Sequence, residues 1–196
     1  VLRSVIDERF RRSAPLAILL GDAHVDAGEL IEGGQRWKPA LDFNHDAGSA
    51  LLPRFENLVG LLPKDSLTQQ TLGFLYFTQR NYSQAIQHLE IALTLGDVES
   101  SLLFTLSDAY IETRNFARAV DILERLLKQR ANAAELIRRC DLLLERYTSQ
   151  DWISRRTLRL LGDVLRSQQR SDEALSQYRQ SLENLEVLEA NEPFAE

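Results

Sequence analysis

Residues 67–97, LTQQTLGFLYFTQRNYSQAIQHLEIALTLGD, and residues 101–132, SLLFTLSDAYIETRNFARAVDILERLLKQRAN, state one pattern twice. Leu72 answers to Leu106, Tyr76 to Tyr110, and Arg80-Asn81-Tyr82 to Arg114-Asn115-Phe116. Ala85 then answers to Ala119, and Leu89 to Leu123. Each pair is 34 residues apart. A fixed period of this size marks one supersecondary unit, copied and stacked on itself. Ser66 to Gln129 is therefore the ruler against which the rest of the chain is read.

Within each copy the roles follow from residue size and spacing. The first helix carries Leu, a small residue (Gly73 or Ser107) and Tyr; the small residue admits the partner helix closely and the tyrosine fills the groove between them. The second helix carries Ala85 or Ala119 at the crossing, then Leu89 or Leu123. Both turns read Arg-Asn followed by an aromatic, which places Asn81 and Asn115 in left-handed or capping geometry. Working outward, Leu20-Gly21 aligns with Leu72-Gly73, with His24 at the tyrosine position, Gly33 and Ala40 at alanine positions and Trp37 at the large apolar one. This gives a degenerate unit over 14–47. Gly33 and Gly34 cost about 1 kcal/mol each and Pro39 about 3 kcal/mol in a helix interior, so its second helix is expected to be short, kinked or partly unwound. Residues 48–65 hold one extra helix, with Leu51, Leu52, Phe55, Leu58, Val59 and Leu62 as its apolar stripe, Pro53 near its start and Pro63 just past its end. The two clear units occupy 66–133. A further amphipathic helix, Ala133 to Tyr147, lies in the segment 134–154. The pattern returns over 155–188, where Leu161-Gly162 match Leu72-Gly73, Leu165 replaces the tyrosine, and Ala174 and Tyr178 take the second-helix positions. Residues 1–13 read as an N-terminal amphipathic helix or cap, and 189–196 as an acidic tail.

The matched residues and their period resemble the tetratricopeptide superfamily, without pointing to a subfamily. The resemblance implies an all-α fold: an α-solenoid of helix-turn-helix repeats in a right-handed superhelix, here with extra single helices. The family's tryptophan and closing proline are absent from the two middle units. The family's first helices line a concave groove. By resemblance the groove positions are Leu67, Gln70, Phe74, Phe77 and Thr78, then Ser101, Phe104, Asp108, Ile111 and Glu112. In the last unit they are Arg156, Arg159, Asp163, Arg166 and Ser167. Phe74, Phe77, Phe104 and Ile111 make that face more apolar than solvation requires, which fits an apolar or amphipathic segment of a partner. The same face equally suits one of the chain's own extra helices. The arginines suit acidic groups of a partner, or a solvated face paired with neighbouring carboxylates. The Lys and Asn carboxylate clamp of the family's chaperone-binding members is missing: Gln70, Phe74 and Thr105 stand at its positions.

Composition narrows the function classes. The chain has 196 residues, 44% hydrophobic and 27% charged, enough for a folded core. A net charge of −6 disfavours nucleic acid, whose phosphates need a concentrated basic surface. No apolar run has the length of a membrane span, the opening VLRSVIDERFRRS is unlike a signal peptide, and a cytoplasmic setting is expected. The one cysteine, Cys140, sits among Leu136, Ile137, Leu143 and Leu144 and reads as a packed thiol. The best case for an enzyme is a metal site from Asp22, His24, Asp26, Asp42, His45 and Asp46, and the repeat register weakens it by putting His24 in a core position. No phosphate loop, nucleophile elbow or CxxC pair is present. The expectation is a non-enzymatic scaffold without cofactor or metal that binds a protein or peptide segment in complex assembly, self-association being compatible. An assembly factor or chaperone for a secretion or surface apparatus and a peptide-sensing regulator also fit.

Overall fold

The computed structural model describes residues 13–43, 47–96, 99–147 and 152–191, leaving aside the side chains of 42, 43 and 184–191. The N-terminal helix expected over 1–13 therefore lies almost wholly outside the described residues, as does the end of the acidic tail. Among the described residues the chain is α-helical without a strand. The helices are α1 (Ala14–Asp26), α2 (Leu30–Phe43), α3 (Ala47–Leu61), α4 (Ser66–Thr78), α5 (Tyr82–Leu95), α6 (Ser100–Glu112), α7 (Phe116–Lys128), α8 (Ala133–Arg146), α9 (Trp152–Ser167) and α10 (Ser171–Asn191). No described helix is long and apolar enough to cross a membrane.

The chain divides into two compact units, Val1–Val98 and Glu99–Glu196, with the boundary between the two clear repeats. In the first unit, hairpins α1–α2 and α4–α5 are joined by α3, which packs on both. Its core holds Trp37, Ala40, Leu51, Phe55, Leu58, Leu72 and Leu75. In the second unit, hairpins α6–α7 and α9–α10 are joined by α8, which packs on α7 and α9.

One packing rule closes the hairpins. A small residue on the first helix faces a large one 16 positions later on the second: Gly21 and Trp37, Gly73 and Leu89, Gly162 and Tyr178. A Cβ on Gly21 would lie 2.2 Å from Trp37 Cδ1, one on Gly73 2.7 Å from Leu89 Cγ, and one on Gly162 2.4 Å from Tyr178 Cε1. Ser107 and Leu123 hold the same register, both fully buried. The small residue is thus the socket for the large one.

The same rule corrects the expectation for α2. It runs as one helix of 14 residues with Gly33, Gly34 and Pro39 inside it, instead of a short or unwound one. Gly33 approaches α1 so closely that a Cβ there would sit 2.5 Å from Val25 Cγ2. Trp37 is 3% exposed, and its Nε1 donates to Ile18 O at 3.2 Å and Asp22 Oδ1 at 3.1 Å. Its ring meets Phe55 edge-on at 5.4 Å. These tertiary contacts outweigh the helix propensity lost at the glycines and the proline. Pro53 also departs from expectation, since α3 begins at Ala47 and encloses it; Pro63 does lie just past the end of α3.

The turns use backbone rather than side-chain chemistry. Five helices end with a left-handed residue: Gly28 (φ 81°), Arg80 (61°), Arg114 (59°), Arg130 (55°) and Gln169 (62°). Each N–H reaches back three residues and the next N–H reaches back five, as in Arg80 N to Phe77 O (2.9 Å) and Asn81 N to Tyr76 O (2.9 Å). This is the Schellman closure. Of the two geometries expected for Asn81 and Asn115, the structure takes the capping position, with φ of −85° and −87°. The left-handed residue is the arginine before each. The Asn81 side chain accepts from Gln84 N at 3.5 Å, and Asn115 makes no such bond.

Candidate functional site

The groove positions fall on the two units, and each half is described separately. In the first unit α4 starts at the cap Asp65, whose carboxylate accepts from Thr68 N at 2.8 Å and from Thr68 Oγ1. The α4 packing face, Thr68, Gln69, Thr71, Leu72, Gly73 and Leu75, is buried. Phe74 stands out from it, 41% exposed. Gln70 and Phe77 are half-buried, and Phe77 lies edge-on to Tyr82 at 5.6 Å. Behind this face runs a polar chain: Tyr76 donates to Glu56 Oε1 at 2.6 Å and stacks on His88 at 5.5 Å, while His88 Nδ1 meets Gln69 Oε1 at 2.7 Å. Glu56 holds the Tyr76 phenol protonated, raising its pKa to about 12. Burial lowers the pKa of His88, which favours the neutral ring.

In the second unit the same positions are occupied from within. Arg139 of α8 is 6% exposed and lies over the Phe104 ring, its Cζ 4.3 Å from the centroid. Its Nη2 donates to Asp108 Oδ2 at 2.7 Å, and its Nη1 to Glu135 Oε2 at 2.5 Å. Phe104 and Asp108 are thereby covered by the chain's own helix. Burial pushes the Asp108 carboxyl above its ordinary range, outweighing the opposing hydrogen bond from Arg139. Ile111, expected on the groove face, is 1% exposed and belongs to the core. Glu112 pairs with Arg146 at 2.8 Å.

The basic positions of α9 also divide. Arg156 ties α9 to α7, donating to Glu124 (Nη2 to Oε2, 2.8 Å) and Asp121 (Nη2 to Oδ1, 3.0 Å), and it lies over the Trp152 ring at 5.6 Å. That is a packing contact. Arg159 is exposed, and Arg166 extends into solvent with only a 3.5 Å pair to Asp163 on its own helix.

A register emerges that the sequence reading passed over. The residue after the small socket is Asp in three hairpins: Asp22, Asp108 and Asp163. All three are engaged. Asp22 accepts from Arg54 Nε at 2.7 Å and Nη2 at 2.8 Å, and Asp163 accepts from Tyr178 OH at 2.8 Å. Arg54 follows Asp22 by 32 residues and Arg139 follows Asp108 by 31, a spacing visible in the sequence once the register is known. At the fourth place, after Gly73, stands Phe74.

Of the residues considered for a metal, Asp22 and His24 are engaged with other partners. Asp22 is taken by Arg54 and Trp37, and His24 Nδ1 meets Glu29 Oε2 at 2.5 Å. The side chain of Asp42, with His45 and Asp46, lies outside the described residues. Among the described residues no three His, Cys, Asp or Glu side chains are grouped to hold an ion. Cys140 is fully buried, and desolvation pushes its thiol up to about 12, so it is a packed group.

A tetratricopeptide repeat family model matches residues 76–139, from the end of α4 into α8. The sequence matches none of the curated proteins. Among solved structures, the chain is similar to the crystal structure of MamA at 15% identity and TM-score 0.40, covering 87% of this chain and 96% of that one. It is similar to YrrB, described as a TPR protein with an unusual peptide-binding site, at 13% identity and TM-score 0.35, covering 93% and 91%. It is also similar to the human IFIT1 dimer with PPP-AAAA at 16% identity and TM-score 0.40, covering 88% of this chain and 55% of that one. Likenesses this distant carry no argument about what the chain does. The period and the socket-and-knob hairpins rest on this chain's own residues, and the family model identifies tetratricopeptide repeats among them at residues 76–139, with no narrower subfamily indicated.

Proposed function

We propose that the chain is a non-catalytic adaptor that captures an apolar or amphipathic segment of a protein partner on α4, as one step in assembling a larger complex. Tetratricopeptide repeats are protein-interaction modules, and the finer assignment rests on one observation. Phe74 is a large aromatic, 41% exposed, at the position where three other hairpins place an aspartate held by the fold. Nothing in hairpin packing calls for it, and an exposed aromatic set on a rigid helix is the usual anchor of a binding face. Gln70 and Phe77 flank it one helical turn to either side and widen the patch. In the second unit, the exposed Arg159 and Arg166 on α9 suit acidic groups of a partner and by themselves would fit a peptide-sensing regulator. An assembly factor that shields an apolar segment of its client would use the Phe74 patch in the same way.

The test is co-purification of the partner from the native source, followed by affinity measurement with Phe74→Ala and with Arg159→Glu/Arg166→Glu. The adaptor reading expects at least tenfold loss for Phe74→Ala, and a smaller, salt-sensitive loss for the charge reversals. Full affinity in Phe74→Ala at unchanged helicity would remove α4 as the binding face. Loss confined to the charge reversals would favour the peptide-sensing reading.

A further inference from the structure

The first helix of each hairpin carries a second packing face besides the one that seats its own partner helix. Its leading residue is the leucine just before the small socket. In three hairpins that leucine is Leu72, Leu106 and Leu161, and these are 1%, 0% and 4% exposed. Three residues further on, Leu75, Ala109 and Val164 are fully buried. Within their units, α3 packs on α4 and α8 packs on α9.

In α1 the same register is held by Leu20 and Ala23, and both are open. Leu20 is 42% exposed and Leu19 62%, Ala23 and Ala27 are exposed, and Leu16 is half-buried. The buried residues Ala14, Ala17 and Gly21 lie on the opposite side, where α1 packs on α2. At about 3.6 residues per turn, Leu16, Leu19, Leu20, Ala23 and Ala27 share about a third of the helix circumference, with Asp26 at its margin. A helix apolar on both sides is built to be covered on both. We propose that this face of α1 pairs two copies of the chain about a two-fold axis, with the two α1 helices antiparallel. The pairing is separate from the α4 face and does not depend on it.

A two-fold interface must complement itself, and this face does. Its leucines stand towards the start of α1 and its alanines towards the end. Leu16 and Ala27 have the same midpoint in the chain as Leu20 and Ala23. Laid antiparallel about that point, Leu16 and Leu20 of one copy meet Ala27 and Ala23 of the other. This is the large-on-small fit that closes the hairpins themselves, as between Trp37 and Gly21. The five apolar residues carry no charge, so two identical faces meet without repulsion at their centre. The antiparallel order also keeps the two Asp26 side chains at opposite ends, each towards the N-terminus of the other copy's α1, where the helix dipole is positive. A parallel pair would set leucine on leucine and Asp26 beside Asp26.

The experiment is sedimentation equilibrium of the full chain and three variants, each checked for folding by its melting transition. The wild type is expected to form a monomer–dimer equilibrium with Kd of about 0.5 mM or lower. Leu20→Glu puts a charge on the face and should weaken the dimer by about tenfold or more. Ala23→Leu fills the socket and should weaken it by about fivefold or more, although it adds apolar surface. Leu20→Ala/Ala23→Leu exchanges knob and socket, sets leucine opposite alanine again, and should return to within about twofold of wild type. A wild type that stays monomeric at about 0.5 mM, as when residues 1–12 or another protein take the face, would overturn the pairing. Unchanged association in Leu20→Glu, tighter association in Ala23→Leu, or an exchange no better than Ala23→Leu alone would each overturn it as well.

Discussion

The hairpins α4–α5 and α6–α7 share one packing scheme and put it to opposite uses. Both seat a leucine on a small residue, both end their first helix on a left-handed arginine, and both begin the second at an asparagine. Their outward faces differ. In α6, Phe104 and Asp108 are taken up by Arg139, while in α4 the residue in register with Asp108 is Phe74, left 41% exposed. Periodicity therefore reports where a helix sits, and departures from it report which face remains available. In the second unit the groove positions Phe104 and Asp108 are taken by this chain's own α8, and in the first unit the exposed Phe74 is the basis of the proposed partner face.

The largest effects should ignore this difference. Leu89→Ala and Leu123→Ala each remove a fully buried knob and should cost about 3 kcal/mol, by equal amounts, in urea unfolding. A cost in one hairpin alone would show that their cores are not equivalent. Next, Arg139→Gln should cost about 2–4 kcal/mol by leaving Asp108 buried without its cation. Arg54→Gln, whose pair with Asp22 is about one-third exposed, should cost less than about 1 kcal/mol.

The two aspartates should also respond oppositely to pH. The hydrogen bond from Arg54 holds Asp22 below the ordinary carboxylate range, so its stabilisation is present above about pH 4 and is lost as pH falls through the folded value. Asp108 is raised by burial, so its contribution is full below about pH 4 and is lost as pH rises through the folded value. Asp22→Asn should flatten the acid limb of a stability profile measured between about pH 3 and 7, and Asp108→Asn should steepen it. The smallest effect concerns the shared turns. Arg80→Gly and Arg130→Gly relieve left-handed strain and should gain about 0.5 kcal/mol each.

Much of the fold was legible because it depends on local size and spacing. The 34-residue period and the pairs Gly73–Leu89 and Gly162–Tyr178 can be read directly from the residues. The continuity of α2 was hidden, because propensity counts Pro39 and the glycines as breakers while Trp37 and Ala40 hold the helix against its neighbours. The left-handed arginines were hidden because backbone bonds, rather than side-chain preference, set a Schellman turn. The candidate site was legible in part. Phe74 is exposed as its register implied, but the fates of Phe104, Asp108 and Arg156 depend on partners 35, 31 and 32 residues away on other helices. Composition gave no sign of those pairings; the recurring aspartate after the small socket did, and went unread.

The central claim is that α4 presents the available face and α6 the occupied one. Its most direct test is the affinity of the co-purified partner for the wild-type chain, Phe74→Ala and Phe104→Ala, each confirmed folded by its melting transition. The account predicts at least tenfold loss for Phe74→Ala with its transition unchanged, and affinity within about twofold of wild type for folded Phe104→Ala. Loss on Phe104→Ala with full binding by Phe74→Ala would contradict it.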